Sequence, residues 1–295
     1  MASGFRVGYV TLAGRPNVGK STLLNRLVGM KVSIVSRRPQ TTRHRILGIL
    51  TEPDAQLVFV DTPGFQTRHG SALNRLMNRT LRQSLQDVDV VVLVIEASGI
   101  RPEDKRILGL IPPGLPVVLA VNKIDLLKDR KLLLPLIEQA SQLRSFAAIV
   151  PISAERGSQI GELAETLKPL LPEGEPAFDA DAVTDRSERF LAAELVREKL
   201  FEALGEELPY STTVTVDSFV EERGLRRIQA SILVDKESQK AIVIGAGGAK
   251  LKTIGTRARR DMQALFGGKV HLELWVRVKR GWADDMRALK SLGYE

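Results

Sequence analysis

The sequence predicts two successive folds: an α/β domain with a doubly wound, mainly parallel sheet, and then a smaller α+β domain. Three observations carry this. Over residues 1–172, short apolar runs, mostly β-branched, alternate with segments of helical spacing. That alternation is the pattern of a parallel sheet with helices on both faces. PEGEPAFDADAVTDRS, at 172–187, holds two prolines and several acids without periodicity, so residues 173–187 read as a linker. Residues 188–295 then run in a helix–strand–strand–helix–helix–strand order and end in a C-terminal tail.

The strand-like runs of the first half are RVGYVTLAG, QLVFVDT, DVVVLVIEA, PVVLAVNK and AIVPISA. Between and after them lie STLLNRLVG, NRLMNRTLRQSLQ, EDKRILGLI, KLLLPLIEQASQL and IGELAETLKPLLP, which have helical spacing. In the second half ERFLAAELVREKLFEALG is a helix. STTVTVDSFVEE and LRRIQASILVD are strands joined at a turn near Arg223-Gly224. KAIVIGAGGAKLKTIGTRARRDMQALFGG is helical apart from its glycines, and KVHLELWVRVKR is a final strand.

With 295 residues, 43% hydrophobic and 26% charged, the chain has the make-up of a soluble two-domain protein. No apolar run reaches the roughly 18–20 residues that span a bilayer, and the start has no signal-peptide layout. Cysteine is missing, which excludes disulfides and thiolate metal sites and suits a cytoplasmic protein. His44, His69 and His271 are too far apart in sequence to suggest a histidine metal cluster. The formal net charge is +8, and residues 240–280 alone account for it, with ten Lys/Arg against Asp261 and Glu273. A focused basic segment fits either a solvated face or a polyanion partner.

GRPNVGKS, at 14–21, fits G-x-x-x-x-G-K-[ST] and sits between a strand and a helix. In that pattern glycines curl the backbone so that N–H groups face phosphate oxygens, and the helix N-terminus adds partial positive charge. The expected nucleotide-binding residues are Gly14, Arg15, Pro16, Asn17, Val18, Gly19, Lys20, Ser21 and Thr22. Lys20 would reach the β- and γ-phosphates, and the Ser21 hydroxyl would bind Mg²⁺. DTPG follows a strand and adds Asp61, Thr62, Pro63 and Gly64. Asp61 is placed to hold Mg²⁺ through water, and the Gly64 N–H to sense the γ-phosphate. NKID follows another strand and adds Asn122, Lys123 and Asp125. The Asp125 carboxylate can accept two hydrogen bonds from guanine, whereas adenine lacks that donor pair. SAE, again after a strand, adds Ser153 to brace Asp125 and the Ala154 N–H for the guanine O6. All four signals fall at strand C-terminal ends, where open α/β sheets bind ligands. The nucleotide is therefore GTP, with GDP as product, and Asp125 argues against an ATPase.

SRRPQTTRHRI, at 36–46, supplies Thr41 and Thr42, one of which should meet Mg²⁺ and the γ-phosphate; Thr42 is favoured. Arg37, Arg38, Arg43 and Arg45 surround them, either as solvated charge or a polyanion contact, or as an arginine finger in cis. Phe65 stands where many GTPases place a water-orienting glutamine, and Gln66 comes one residue later. Slow intrinsic hydrolysis is expected. The Asn17 side-chain oxygen is a candidate to help hold a monovalent cation, K⁺, beside the phosphates. The expected catalytic set is Lys20, Thr42, Gly64 and Asn17, and the metal set Ser21, Thr42 and Asp61.

In the second half, Gly245-Ala246-Gly247-Gly248 is a G-x-x-G flanked by Ile244 and Leu251. Alone it fits a helix cap. Inside this element order, at the head of the basic segment, it reads as the backbone clamp of a type II KH module. Ile244 to Gly248, Lys250, Lys252 and Arg257 are the expected RNA contacts, and Arg259 and Arg260 add charge. Trp275 and Trp282 either stack on bases or belong to the core, which is the commoner role of a strand Trp.

Together these segments resemble the Era family of bacterial GTPases over nearly the whole chain. GRPNVGKSTLLN, PQTTRHRI, VDTPG, NRLMN, AVNKID and PISAE match its P-loop GTPase half. VTDRSERF, LPYSTTV, VIGAGGAK, KTIG, HLELWVRVK and GWADD match its KH half. The resemblance implies a ribosome-assembly GTPase that binds the 3′ end of small-subunit ribosomal RNA. It also implies peripheral association with the cytoplasmic membrane face, although the sequence shows no anchor. A monomer is expected. The sequence departs from the family pattern at Ala246-Gly247, where one residue is commonly lysine. An alternative reading is a GTPase acting chiefly on a protein or membrane-surface partner, but lipid binding needs no G-x-x-G loop.

Overall fold

The computed structural model describes residues 4–36, 38, 41–64, 71–205 and 208–294. They form two compact units. One comprises Met1–Ser33, Thr42–Arg68 and Met77–Asp185; the other comprises Ile34–Thr41, His69–Leu76 and Arg186–Glu295.

The first unit is built on β1 (Arg6–Ala13), β2 (Ile46–Thr51), β3 (Ala55–Asp61), β4 (Val90–Glu96), β5 (Val117–Asn122) and β6 (Ala148–Pro151). Their order across the sheet is β2-β3-β1-β4-β5-β6, and only the β2–β3 pairing is antiparallel. The β3 and β5 strands are buried along their whole length. Covered on both faces, their centres, LVFV and VVLAV, read as unbroken apolar runs without alternation. The connecting helices are α1 (Lys20–Val28), α2 (Ala72–Ser84, of which Met77–Ser84 falls in this unit), α3 (Pro102–Leu108), α4 (Leu133–Ser141) and α5 (Ile160–Leu167). Parallel pairing carries the C-terminal ends of β1, β3, β4, β5 and β6 to one side of the sheet, so the loops that follow them converge there.

The β2 strand has no counterpart among the strand runs predicted from sequence. Its segment ILGILT is interrupted by Gly48, and the reason is steric. A Cβ at Gly48 would lie 2.5 Å from Leu24 Cδ1 of α1, so glycine lets helix and strand approach closely. The segment predicted as a linker also has a defined course. Val7 N–H donates to the Pro172 carbonyl, Gly174 N–H to Phe5, and Ile49 N–H to Val183. The buried Gln56 side chain accepts from Ala177 and Phe178 N–H at 2.8 and 3.0 Å and donates to the Phe178 carbonyl at 2.9 Å. Backbone bonding of this kind needs no apolar periodicity, and the sequence shows none.

The second unit contains α6 (Glu188–Ala203), β7 (Thr212–Glu222), β8 (Leu225–Val234), α7 (Glu237–Ile244), α8 (Ala249–Phe266), β9 (Lys269–Val278) and a short α9 (Met286–Ser291) within the tail. The β7–β8 pairing is antiparallel and the β8–β9 pairing parallel. Arg223 and Gly224 have φ of 51° and 74°, the two positive angles of a tight hairpin turn. Leu195, Val196 and Leu200 of α6 pack with Ile228, Ile232, Val243, Ile254, Ala258 and Met262 as one core. This is the helix–strand–strand–helix–helix–strand order of the type II KH fold, and the first unit is the P-loop α/β fold.

Candidate functional site

The loop 14–19 leaves β1 and turns directly into α1. A Cβ on Gly14 would lie 2.5 Å from the Val94 carbonyl, and one on Gly19 2.3 Å from Asn122 Nδ2. Only glycine lets the backbone pass so close. Asn17 adopts φ 65° and Gly19 φ 101°, and α1 has neither a side-chain cap nor an acid in its first turn. The helix therefore presents its first N–H groups with no built-in anion. The Lys20 ammonium is buried and donates to the Gly14 and Arg15 carbonyls at 2.9 and 3.0 Å. Burial pushes its pKa down to about 8 against the attraction of Asp61.

Asp61, the last residue of β3, is fully buried. Its Oδ2 accepts from Ser21 Oγ at 2.8 Å, Ser33 Oγ at 2.9 Å and Thr42 Oγ1 at 3.3 Å. Its Oδ1 is also buried and has no hydrogen-bond partner among the described residues. Burial raises the Asp61 pKa, opposed by Lys20 and the three hydroxyls. A carboxylate oxygen left unpaired beside two clustered hydroxyls, Ser21 and Thr42, which stand 2.9 Å apart, fits a hard divalent cation such as Mg²⁺. Ser33 is absent from the sequence-derived set. Asn25 of α1 fixes it, accepting from Val32 and Ser33 N–H, each at 3.0 Å, and donating to the Ser33 carbonyl at 2.7 Å.

Thr41 and Thr42 have different surroundings. The Thr42 hydroxyl meets Ser21 and Asp61, whereas the Thr41 hydroxyl donates to the Arg38 carbonyl at 2.8 Å. In the second unit, the Thr41 carbonyl accepts from Arg197, which is paired with Glu194, and Val35 N–H donates to Glu198 at 2.9 Å. The surrounding arginines are not uniformly solvated: Arg43 is buried, and Arg38 donates to the Gly205 carbonyl at 2.6 Å. Thr62 donates to the Leu12 carbonyl at 3.1 Å. A Cβ on Gly64 would lie 3.0 Å from the Pro16 nitrogen, so residue 64 passes close over the phosphate loop. Arg37, Phe65, Gln66 and His69 lie outside the described residues.

Asn122 binds the loops together. Its Nδ2 donates to the Val18 carbonyl at 2.7 Å, and its Oδ1 accepts from Lys123 and Ala154 N–H at 2.8 and 2.9 Å. The Ala154 amide expected at the guanine O6 is thus engaged by Asn122, because the chain after β6 is drawn onto the end of β5. Ser153 Oγ donates to Asp125 Oδ1 at 2.5 Å, and Oδ2 has Arg156 Nε 3.9 Å away. Lys123 donates to the Asn17 carbonyl at 2.7 Å and to Glu96. The other Glu96 oxygen takes Arg15 Nη2 at 2.5 Å, and Arg15 Nε lies 3.5 Å from Asp104 of α3. Partial burial pushes Glu96 upward, but its bonds to Lys123 and Arg15 outweigh this and hold it below the ordinary glutamate value. Sequence reading saw Glu96 only as the end of a strand.

In the second unit, Gly245 (φ 73°, ψ 176°) breaks α7, Ala246–Gly248 form a single 3₁₀ turn, and α8 begins at Ala249. A Cβ on Gly245 would lie 2.8 Å from Lys250 Cβ, whereas Gly247 and Gly248 face open space. Lys252, Arg257, Arg259 and Arg260 are exposed on α8, Lys250 is half-buried, and Ile242 before the loop is 49% exposed. Trp282 is buried, donates to the Ser211 carbonyl at 3.1 Å and stacks on Tyr294, so it is core and not a base-stacking platform. Trp275 on β9 is 39% exposed.

Comparison with known proteins fits both units. A family described as "50S ribosome-binding GTPase" matches residues 9–123, and one described as "KH domain" matches residues 207–283. GTPase Era of Nitrosomonas eutropha is 57% identical over 294 residues, covering 100% of this chain and 99% of that protein. GTPase Era of Stenotrophomonas maltophilia is 56% identical over 289 residues, covering 98% and 97%. Two crystal structures superpose on this chain with 41% identity over 98% of it and 99% of their own chains. One is a variant of Aquifex aeolicus Era bound to GDP·AlF₄⁻, with a TM-score of 0.95. The other is Era with MgGDPNP and nucleotides 1506–1542 of 16S ribosomal RNA, with a TM-score of 0.94. With relatives this similar along its whole length and both units accounted for, the chain belongs to the Era family and is a GTPase.

Proposed function

We propose that this GTPase is a switch that binds small-subunit ribosomal RNA near its 3′ end and assists assembly of the small subunit in the cytoplasm. The catalytic half spans 1–172 and the RNA-binding half 188–295, with 173–187 between them. The observation that carries the reading is the joint presence of the Asp61 hydroxyl cluster beside the phosphate loop and a G-x-x-G turn opening a basic helix. The relative solved with RNA holds a 16S fragment, which supports the small subunit as target, not the large subunit named in the family description.

In this reading loop N–H groups from Gly14 to Thr22 and the α1 terminus cradle the phosphates, with Lys20 neutralising their charge. Asp125, held by Ser153, reads guanine through its outer oxygen, and Asn122 and Lys123 keep that loop against the phosphate loop. Ser21, Thr42 and Asp61 hold Mg²⁺, which when bound offsets charge on the β- and γ-phosphate oxygens. The Gly64 N–H donates to the γ-phosphate as Thr62 and Pro63 fix its approach. Asn17, exposed on the loop, supplies a side-chain oxygen for K⁺. Ile244 to Gly248 admit the RNA backbone, with Lys250, Lys252 and Arg257 neutralising its phosphates in place of a lysine within the loop.

Filter binding of the full chain to a labelled 3′-terminal fragment of small-subunit ribosomal RNA tests this, alongside a GTP titration. Gly248→Asp is the better probe, because an added side chain at Gly245 would also strike Lys250. RNA affinity should fall at least about ten-fold with GTP affinity unchanged, and parental affinity should decline with salt at about −0.7 per neutralised phosphate. If Gly248→Asp holds RNA as well as the parent but loses anionic vesicles, the membrane-surface reading replaces this one.

A further inference from the structure

We propose that Glu96 is a positioning residue for the bound nucleotide, closing a ring of charges that ties the phosphate loop to the base-reading loop. The proposal rests on the nucleotide-site reading above. Three strand ends contribute. Arg15 follows β1, Glu96 ends β4, and Lys123 follows β5. One Glu96 oxygen takes the Arg15 guanidinium and the other takes the Lys123 ammonium, while Lys123 also donates to the Asn17 carbonyl. The ring therefore leaves the phosphate loop at residue 15 and returns to it at residue 17. Asp104, buried at the start of α3, backs Arg15 from behind.

An exposed ion pair is worth little, but this one is not exposed. The Arg15 and Glu96 side chains are 13% and 16% accessible, Lys123 at 32% is the more open arm, and both Glu96 oxygens are used. Without the Glu96 charge, Arg15 and Lys123 stand side by side near a third cation, Lys20, and among the described residues Asp104 is left to balance Arg15. Their repulsion separates the two loops that grip opposite ends of the nucleotide.

The sign of the effect separates this idea from simple electrostatics. A carboxylate close to the phosphates of a bound guanine nucleotide repels them, so on charge alone neutralising Glu96 tightens binding. If Glu96 positions the loops, neutralising it speeds release. The full-length chain is loaded with N-methylanthraniloyl-GDP and Mg²⁺, then chased with excess GDP in a stopped-flow instrument. Glu96→Gln is expected to release the nucleotide about ten-fold faster, the loss of one charge-assisted bond. In a Lys123→Gln background the same substitution should change release less than about two-fold, because the ring is already open. Arg15→Gln opens the ring from its other side and should speed release similarly, which keeps the test valid if Glu96→Gln folds poorly. Unchanged or slower release, or an undiminished effect of Glu96→Gln in the Lys123→Gln background, overturns the proposal. A parent that captures no labelled GDP overturns the nucleotide-site reading itself.

Discussion

Replacing Lys20 with methionine is expected to stabilise the nucleotide-free chain at neutral pH while abolishing its stabilisation by GTP. Lys20 is buried, and burial lowers its pKa from 10.5 to about 8 despite attraction to Asp61. At 1.36 kcal/mol per pH unit, holding the charge costs on the order of 3 kcal/mol. The sign follows from proton linkage. The unfolded chain holds this proton more tightly, so the penalty is complete below pH 8 and disappears as pH rises towards 10.5. Methionine removes the charge at similar volume but forfeits the two bonds to the Gly14 and Arg15 carbonyls, about 1 kcal/mol each. The net gain at pH 7 is about 1 kcal/mol, or roughly 2–4 °C in the melting temperature of a domain this size. At pH 10.5 only the lost bonds remain, and the variant should be the less stable protein. Both tryptophans, Trp275 and Trp282, lie in the second unit, so intrinsic fluorescence does not follow the first. Hydrogen exchange in peptides from β1 and β3, at both pH values and with and without GTP and Mg²⁺, reads the right unit. A Lys20→Met variant less protected than the parent at pH 7 without nucleotide would refute the reasoning.

Three further outcomes follow from the site. Ser33→Ala removes one donor to a buried carboxylate, worth about 1.5–3 kcal/mol, so the Mg²⁺ needed for half-maximal turnover should rise about ten-fold. Because burial already raises Asp61 and Ser33 opposes it, the acid limb of turnover should also move to higher pH; identical Mg²⁺ curves at pH 6 and pH 8 would count against the assignment. Asp125→Asn should shift preference from GTP towards xanthosine triphosphate, whose base has a carbonyl where guanine has an amine. A competition titration reads this, and an unchanged preference removes Asp125 from the role of base reader. Turnover should be slow and faster in K⁺ than in Na⁺, with the difference lost in Asn17→Ala; equal rates in both salts for the parent would exclude a K⁺ site.

What could be read from sequence divides along physical lines. The strands buried on both faces, β3, β4 and β5, announce themselves by β-branched composition, and the loops between strands and helices by residues whose chemistry is local. Gly14, Gly19, Lys20 and Asp61 belong to that kind, since loop geometry and phosphate contact need those residue types at those spacings. The β2 strand was not legible, because Gly48 answers to the side chain of Leu24 on another element. Ser33 and Glu96 were hidden for a related reason. One acts by bonding Asp61 and the other by bonding Arg15 and Lys123, partners that only the fold brings near. For Trp282 the sequence leaves base stacking and the commoner core role both open, and its burial against Tyr294 decides for the core.

The course of residues 173–185 bears on how the first unit can be isolated. The β2 strand is the last in its sheet, and such a strand offers unpaired N–H and C=O groups as a template for a second chain. Here the Val183 carbonyl, the Thr184 hydroxyl and the Asp185 carboxylate occupy groups of Ile49 and Leu47 on that margin, while Phe178 and Ala182 cover the apolar cluster of Leu47, Ile49, Val58 and Val60. A chain cut after residue 172 would bare that margin and invite strand-to-strand aggregation, whereas one cut after 185 would carry its own cover.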